Sequence, residues 1–305
     1  MSDTHREDFR CGVVTLIGRP NTGKSTLMNR LIGQKVAITS HKPQTTRGQI
    51  RTIFTDDEAQ IIFLDTPGIH IAKNKLGQYM VSVARGALKD IDAVLFMAEP
   101  VKEIDEVERD LLKRLSKADV PVLIILNKED LFPEEERETA RKLYETEAPF
   151  AEVTSVSALK GEGTEALLQT IKGFLPYGEP LYDEDALTDV PVRDIAAEII
   201  REKALRLLSD EVPHGIAVQI EKMRERETKT GEAITDISAS IVCERDSHKG
   251  IVIGKGGRML KKIGQTARED IERMLDGRVN LQLFVKVRKD WRDDETQLKS
   301  LGYRK

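Results

Sequence analysis

Apolar residues in this chain follow two rhythms. Over the first 175 residues, apolar runs of strand length alternate with stretches in which apolar positions recur every three or four residues, the spacing of one helix face. The runs predict strands at 12–17, 49–54, 59–64, 93–98, 122–126 and 151–155. The stretches between them predict helices at 24–32, closed by Gly33, and at 76–88, 104–118, 134–147 and 164–174. Strands alternating with helices build a mostly parallel α/β sheet. Only Thr55-Asp56-Asp57-Glu58 joins the second strand to the third, which predicts a hairpin and one antiparallel edge strand.

Residues 175–191, LPYGEPLYDEDALTDVP, contain three prolines and an acidic cluster and keep neither rhythm. Residues 176–191 therefore read as a linker between a first domain, 1–175, and a second, 192–305. The second domain is α+β, with a helix at 192–208, strands at 216–223 and 232–243, a helix at 257–275 stopped by Gly277, and a strand at 279–288. The run Ile251-Val252-Ile253 reads as a further apolar strand. In the last strand Val279, Leu281, Leu283, Val285 and Val287 share one face, while Asn280, Gln282, Phe284, Lys286 and Arg288 share the other. The first face is core and the second is wet and basic.

Composition narrows the class. With 39% hydrophobic and 33% charged residues in 305, the chain reads as two globular, soluble domains. Its longest apolar runs, 93–98 and 120–126, fall far short of the ~20 residues a membrane helix needs. The start, MSDTHREDFR, is charged, so neither a signal peptide nor a membrane span is expected. Cys11 and Cys243 lie far apart and form no paired framework, which suits a reducing, cytoplasmic setting. The net charge of −4 hides an asymmetry: residues 1–189 hold 24 basic against 32 acidic groups, and residues 190–305 hold 24 against 20. Between Lys249 and Lys262 there are five basic residues and no acidic one, a local place for phosphates.

The candidate chemistry begins at Gly18-Arg19-Pro20-Asn21-Thr22-Gly23-Lys24-Ser25, a G-x-x-x-x-G-K-S loop between a strand and a helix. Its glycines let successive N–H groups turn around phosphates, and the helix that carries Lys24, Ser25 and Thr26 adds its positive end. Lys24 reaches the β- and γ-phosphates in this reading, and Ser25 binds Mg²⁺ through its hydroxyl. Asp65-Thr66-Pro67-Gly68 follows a strand where an aspartate can hold a Mg²⁺-bound water and the Gly68 N–H can meet a γ-phosphate. Asn127-Lys128-Glu129-Asp130 follows another strand. The Asp130 carboxylate can accept from guanine N1–H and its N2 amine together, which adenine does not offer, while Asn127 braces the phosphate loop and Lys128 lies along the base. Ser157-Ala158-Leu159, after the sixth strand, brings its backbone to guanine O6.

These four motifs, in this order, resemble the translation-factor-related GTPases, and Thr45-Thr46-Arg47 within SHKPQTTRGQI resembles the first switch loop of the Era-like branch. The resemblance implies that Thr46 closes on Mg²⁺, with Thr45 as the alternative, since one sequence does not fix the loop's register. Ile69 stands where Ras-like proteins carry the glutamine that orients the attacking water, and an isoleucine has no hydrogen-bonding group for that task. In the resembling family, the asparagine at the position of Asn21 marks hydrolysis assisted by K⁺. Lys24, Thr46, Asp65, Gly68 and Asn21 are the expected catalytic set, with slow intrinsic turnover.

In the second domain, Gly254-Lys255-Gly256-Gly257 is a G-x-x-G loop flanked by Lys249, Arg258, Lys261 and Lys262. It resembles a type II KH domain, whose loop clamps a nucleic-acid backbone. Phe284, Lys286 and Arg288, with Trp291 nearby, are candidate stacking and phosphate contacts, the alternative being a solvated edge with Trp291 packed as a lid. The pairing is similar to the bacterial ribosome-assembly GTPases. That implies a cytoplasmic factor using GTP/GDP and Mg²⁺, bound to the 3′ end of small-subunit ribosomal RNA and to the small ribosomal subunit, with some peripheral attachment to the inner membrane face; a monomer is expected. Two alternatives stay open: a constitutive RNA-binding protein that keeps a nucleotide for stability, and a membrane-surface or cell-cycle GTPase whose KH domain is secondary.

Overall fold

A computed structural model of the chain describes residues 8–34, 36–39, 45–208, 212–228 and 230–303. It divides into two units: 1–37 with 46–71 and 80–189, and 38–45 with 72–79 and 190–305.

The first unit is built on β1 (Arg10–Gly18), α1 (Lys24–Ile32), β2 (Ile50–Thr55), β3 (Ala59–Asp65) and α2 (Lys75–Gly86), the last beginning in residues grouped with the second unit. It continues through β4 (Ala93–Ala98), α3 (Glu106–Leu115), β5 (Val122–Asn127), α4 (Glu134–Glu147), β6 (Glu152–Val156) and α5 (Thr164–Phe174). The six strands lie in the order β2-β3-β1-β4-β5-β6, and only the β2–β3 pair is antiparallel. The hairpin expected from the short connection is present. Alternate residues of β4 enter different cores: Ala93, Leu95 and Met97 pack with Leu27 and Leu31 of α1 and Ile171 of α5, while Val94, Phe96 and Ala98 pack with Leu112 of α3 and Tyr144 of α4. Because both faces are covered, β3, β4 and β5 are buried throughout, which is why their sequences are dominated by consecutive apolar residues, such as 61–64, 93–98 and 122–126. The four expected motifs follow β1, β3, β5 and β6, at the carboxyl ends of the strands, where an open parallel sheet leaves its ligand crevice.

Residues 176–189 belong to the first unit. Tyr177 bridges Arg10, Thr188 bridges Thr52, and the Gln60 side chain accepts from the Leu181 and Tyr182 amides at 2.7 and 2.9 Å. The stretch read as a linker is thus hydrogen-bonded to this unit at several points along its length.

The second unit contains α6 (Val192–Leu207), β7 (Ala217–Glu227), β8 (Ala233–Cys243), α7 (Asp246–Ile253), α8 (Arg258–Leu275), β9 (Arg278–Val287) and α9 (Glu295–Ser300). Its sheet runs β7-β8-β9, antiparallel then parallel. Ile199 and Ile200 of α6 and Ile263, Ala267 and Ile271 of α8 cover one sheet face. The order is helix, two strands, two helices, strand. Ile251-Val252-Ile253, expected as a strand, ends α7 instead, because only Val252 is buried and the run finds no strand partner. Trp291 is fully buried, donates to the Gly215 carbonyl at 3.0 Å and stacks on Tyr303. It is a packed lid and offers no stacking platform.

Candidate functional site

The phosphate loop is shaped by two glycines that nothing else can replace. Gly18 has φ +151°, and a Cβ there would sit 2.2 Å from the Met97 carbonyl oxygen. Gly23 has φ +99°, and a Cβ there would sit 2.1 Å from Asn127 Nδ2. Asn21 also holds a left-handed conformation, φ +67°, and is exposed. Thr22 Oγ1 donates to the Arg19 carbonyl at 3.0 Å, and the Arg19 guanidinium pairs with Asp105 at 2.7 Å. Lys24 is buried at the first position of α1, its ammonium donating to the carbonyls of Arg19 at 2.8 Å and Gly18 at 3.4 Å. Burial pushes its pKa down to about 8, against the pull of the Asp65 carboxylate. Thr26 follows, half-buried, in the same first turn.

Three hard oxygens meet beside this loop. Ser25 Oγ donates to Asp65 Oδ2 at 2.7 Å and lies 3.0 Å from Thr46 Oγ1. Asp65 is fully buried, burial raises its pKa, and its Oδ1 has no hydrogen-bond partner among the described residues. A buried carboxylate oxygen left over beside two hydroxyls suits a hard divalent cation that takes oxygen ligands, so the residues fit Mg²⁺. The structure puts Thr46 in this group. Residues 40–44 of the first switch loop lie outside the described residues.

The loop after β3 is tied to the phosphate loop. Thr66 Oγ1 donates to the Leu16 carbonyl at 2.7 Å, the Ile69 amide donates to the Gly18 carbonyl at 3.0 Å, and Pro67 is buried. Gly68 lies so close that a Cβ would come within 2.6 Å of the Pro20 backbone. The Ile69 side chain packs partly buried against the α3–α4 core.

The candidate base-reading groups gather at the ends of β5 and β6. Asn127 donates through Nδ2 to the Thr22 carbonyl at 2.7 Å and accepts through Oδ1 from the Ala158 amide at 2.9 Å, joining the phosphate loop to the last motif. Ser157 Oγ donates to Asp130 Oδ1 at 2.6 Å, leaving the other carboxylate oxygen beside Lys160 at 3.8 Å. Lys128 is in the left-handed region, φ +66°, with its ammonium on Glu99, an anchor that the motif alone does not reveal. Leu159 is 72% exposed, a large apolar side chain presented at the mouth of the site.

In the second unit, Gly254, Gly256 and Gly257 all have positive φ, at +71°, +63° and +77°. A Cβ on Gly254 would lie 2.7 Å from Met259 Cβ, so the first glycine lets α8 start against the loop. Arg258 Nε closes the turn on the Lys255 carbonyl at 3.2 Å. The loop opens onto a groove of about 540 Å³ floored by Leu260, Leu281 and Leu283, with Gly264 admitting close approach and Lys261, Gln265 and Arg268 along its wall. Lys249, Lys255, Arg258 and Lys262 are exposed. The sequence reading missed Leu260, Gly264, Gln265 and Arg268, although their spacing from Gly257, in steps of three and four, marks one helix face. The candidate contacts Phe284, Lys286 and Arg288 lie on the other face of β9 from this groove. Leu281 and Leu283 line it, while Lys286 pairs with Glu221 at 2.7 Å and Arg288 with Gln219 at 2.8 Å. Phe284, on that other face, is half exposed.

A family model described as 50S ribosome-binding GTPase matches residues 13–128, and a KH domain model matches residues 211–292. The chain is 52% identical to the GTPase Era of Caldanaerobacter subterraneus subsp. tengcongensis, over 97% of this chain and 98% of that one. It is 48% identical to the GTPase Era of Clostridioides difficile, over 97% and 99%. Among solved structures it resembles Era in complex with MgGDPNP and nucleotides 1506–1542 of 16S ribosomal RNA, with TM-score 0.92 and 39% identity over 97% of this chain and 99% of that one. It also resembles a variant of Aquifex aeolicus Era bound to GDP·AlF4−, with TM-score 0.91 and 39% identity over the same shares.

Proposed function

The chain belongs to the Era family of GTPases, and from that premise we propose that it is a GTP-hydrolysing switch that binds the 3′ end of small-subunit ribosomal RNA and acts in maturation of the small ribosomal subunit. Ser25, Thr46 and Asp65 would hold Mg²⁺, which supplies the positive charge that orients the β- and γ-phosphates. Lys24 and the turned-in N–H groups of the loop bind those phosphates. Asp130 and the 157–159 loop select guanine, and Gly68 meets the γ-phosphate. Catalysis on this arrangement is positioning and charge stabilisation, with no side-chain base required.

The observation that carries the RNA reading is the run of positive-φ glycines at 254, 256 and 257 opening onto the groove beside α8. Nothing lies within 4 Å of a Cβ built on Gly256, and aspartate tolerates the left-handed region, so a Lys255→Asp, Gly256→Asp double variant keeps the fold while repelling phosphate. Anisotropy titration of an oligonucleotide with the 3′-terminal small-subunit sequence should then weaken at least about tenfold, with GDP binding unchanged. Equal RNA affinity for both proteins defeats the reading.

Turnover in this reading depends on K⁺. Ile69 orients no water, and exposed Asn21 is placed in the loop to help hold a monovalent cation against the nucleotide phosphates. GTP hydrolysis should be faster in potassium than in matched sodium buffer, and Asn21→Ala should abolish the difference. Equal rates in the two salts overturn it. We place the protein in the cytoplasm as a monomer, with peripheral contact at the inner membrane face.

A further inference from the structure

We propose that Arg30 is a positioning residue for guanine recognition, its guanidinium holding the 157–159 loop so that a backbone N–H is presented to the guanine O6. The proposal rests on the nucleotide site as described above.

Arg30 lies in the last turn of α1, the helix whose first turn carries Lys24 and Ser25. Its Nε donates to the Ala158 carbonyl at 3.3 Å, and Nη2 donates to the Leu159 carbonyl. One planar, forked group thus takes two successive carbonyls of the motif, a geometry that a point-charge lysine does not reproduce. A Cβ built on Gly161, at φ +85°, would lie 3.5 Å from the Arg30 Cδ, Nε and Cζ, so the fork lies along a backbone that carries no side chain there.

The other anchors leave one peptide to Arg30. The Ala158 amide is taken by Asn127 Oδ1 at 2.9 Å, the Lys160 amide by Ser157 Oγ at 3.2 Å, and the Gly161 amide by the Ser157 carbonyl at 2.7 Å. The peptide between Ala158 and Leu159 is held by its carbonyl on Arg30. Since it is trans, its N–H points away from that carbonyl and from the guanidinium. Guanine presents an acceptor at O6 where adenine presents an amine donor, so an N–H fixed there favours the first base and meets the second donor to donor. Asp130 reads the N1 and N2 edge, and Arg30 governs the neighbouring position through the loop.

A purely structural Arg30, serving as a cation at the end of α1, would weaken all purine nucleotides alike when removed. The distinguishing probe is 6-thio-GDP, which keeps N1–H and the N2 amine but replaces O6 with a poorly accepting sulfur. Release of GDP and of 6-thio-GDP is measured by stopped-flow displacement from the full-length protein with Mg²⁺, for wild type, Arg30→Ala, Arg30→Gln and Arg30→Lys. The wild type should hold GDP longer than 6-thio-GDP. Arg30→Ala should release GDP about tenfold faster while barely changing 6-thio-GDP, so that the preference collapses, and Arg30→Lys should keep part of it. Equal acceleration for both nucleotides, or an unchanged preference, overturns the proposal. The Gln and Lys arms decide if the Ala protein does not fold. A wild type that binds GDP but shows no preference also overturns it, whereas failure to bind GDP would defeat the nucleotide site itself.

Discussion

Asp130 has a side chain only 7% exposed, with one oxygen already accepting from Ser157. A nearly buried carboxylate in that setting is a strong selector, because a wrong ligand leaves it unpaired. Asp130→Asn turns the acceptor edge into a donor, which opposes the guanine amine and matches the C2 carbonyl of xanthine. Affinity for GDP should fall by at least about 10² while XDP binding appears, as read by competition with labelled XDP. A variant that still prefers GDP removes Asp130 from base selection. Residues such as this were legible in the sequence because spacing and chemistry coincide in them. Trp291 was not, since an aromatic beside a basic strand has the same signature whether it stacks on a base or plugs a core. Only its bond to Gly215 and its stack on Tyr303 distinguish the two.

Between elements, α3 and α4 meet through a buried polar pair. Tyr144 Oη donates to Glu108 Oε2 at 3.2 Å inside the α3–α4 core. Burial raises the Glu108 pKa and Asp105 adds to it, while Tyr144 and Arg19 pull it down. A carboxylate whose folded pKa lies above its unfolded value makes the folded state the stronger proton binder. Its charge therefore costs stability fully above the folded pKa, and that cost vanishes below the unfolded value near pH 4.3. Glu108→Gln still accepts from Tyr144 without the charge. Its melting temperature should exceed that of the wild type by about 2 °C at pH 8, and the two should coincide near pH 4. A destabilised variant at pH 8 would mean that the attraction of Arg19 and the helix N-terminus outweighs burial. At this scale the long periodic elements were readable and α7 was not: three apolar residues in a row fit a strand or a helix turn equally, and tertiary partners decide. The α8 stripe from Gly257 to Arg268 was readable by its spacing, whereas which face of β9 it meets depends on how the sheet packs and is not written in the alternation of β9 itself.

Across the whole molecule, each unit has its own core, and the second depends heavily on Trp291. Replacing it with alanine should cost that unit about 3–5 kcal/mol. Amide hydrogen exchange should then speed up across α6, β7, β8 and β9, while GDP affinity stays within about twofold. A parallel loss of GDP binding would show that the first unit does not hold its site alone. The bipartite plan followed from the change of rhythm near residue 190. The assignment of 176–189 did not, because proline and acidic residues mark irregular backbone without saying what that backbone binds.

The division of the chain bears on how it could be taken apart. The backbone passes from one unit to the other at 37/38, 45/46, 71/72, 79/80 and again at 189/190. A gene cut at codon 190 would therefore not liberate two complete modules. The upstream product would carry two stretches grouped with the other unit, one ending just before Thr46 and one beginning shortly after Gly68, and the downstream product would lack both. Recombination that swaps one half between relatives carries those two stretches along with the nucleotide loops.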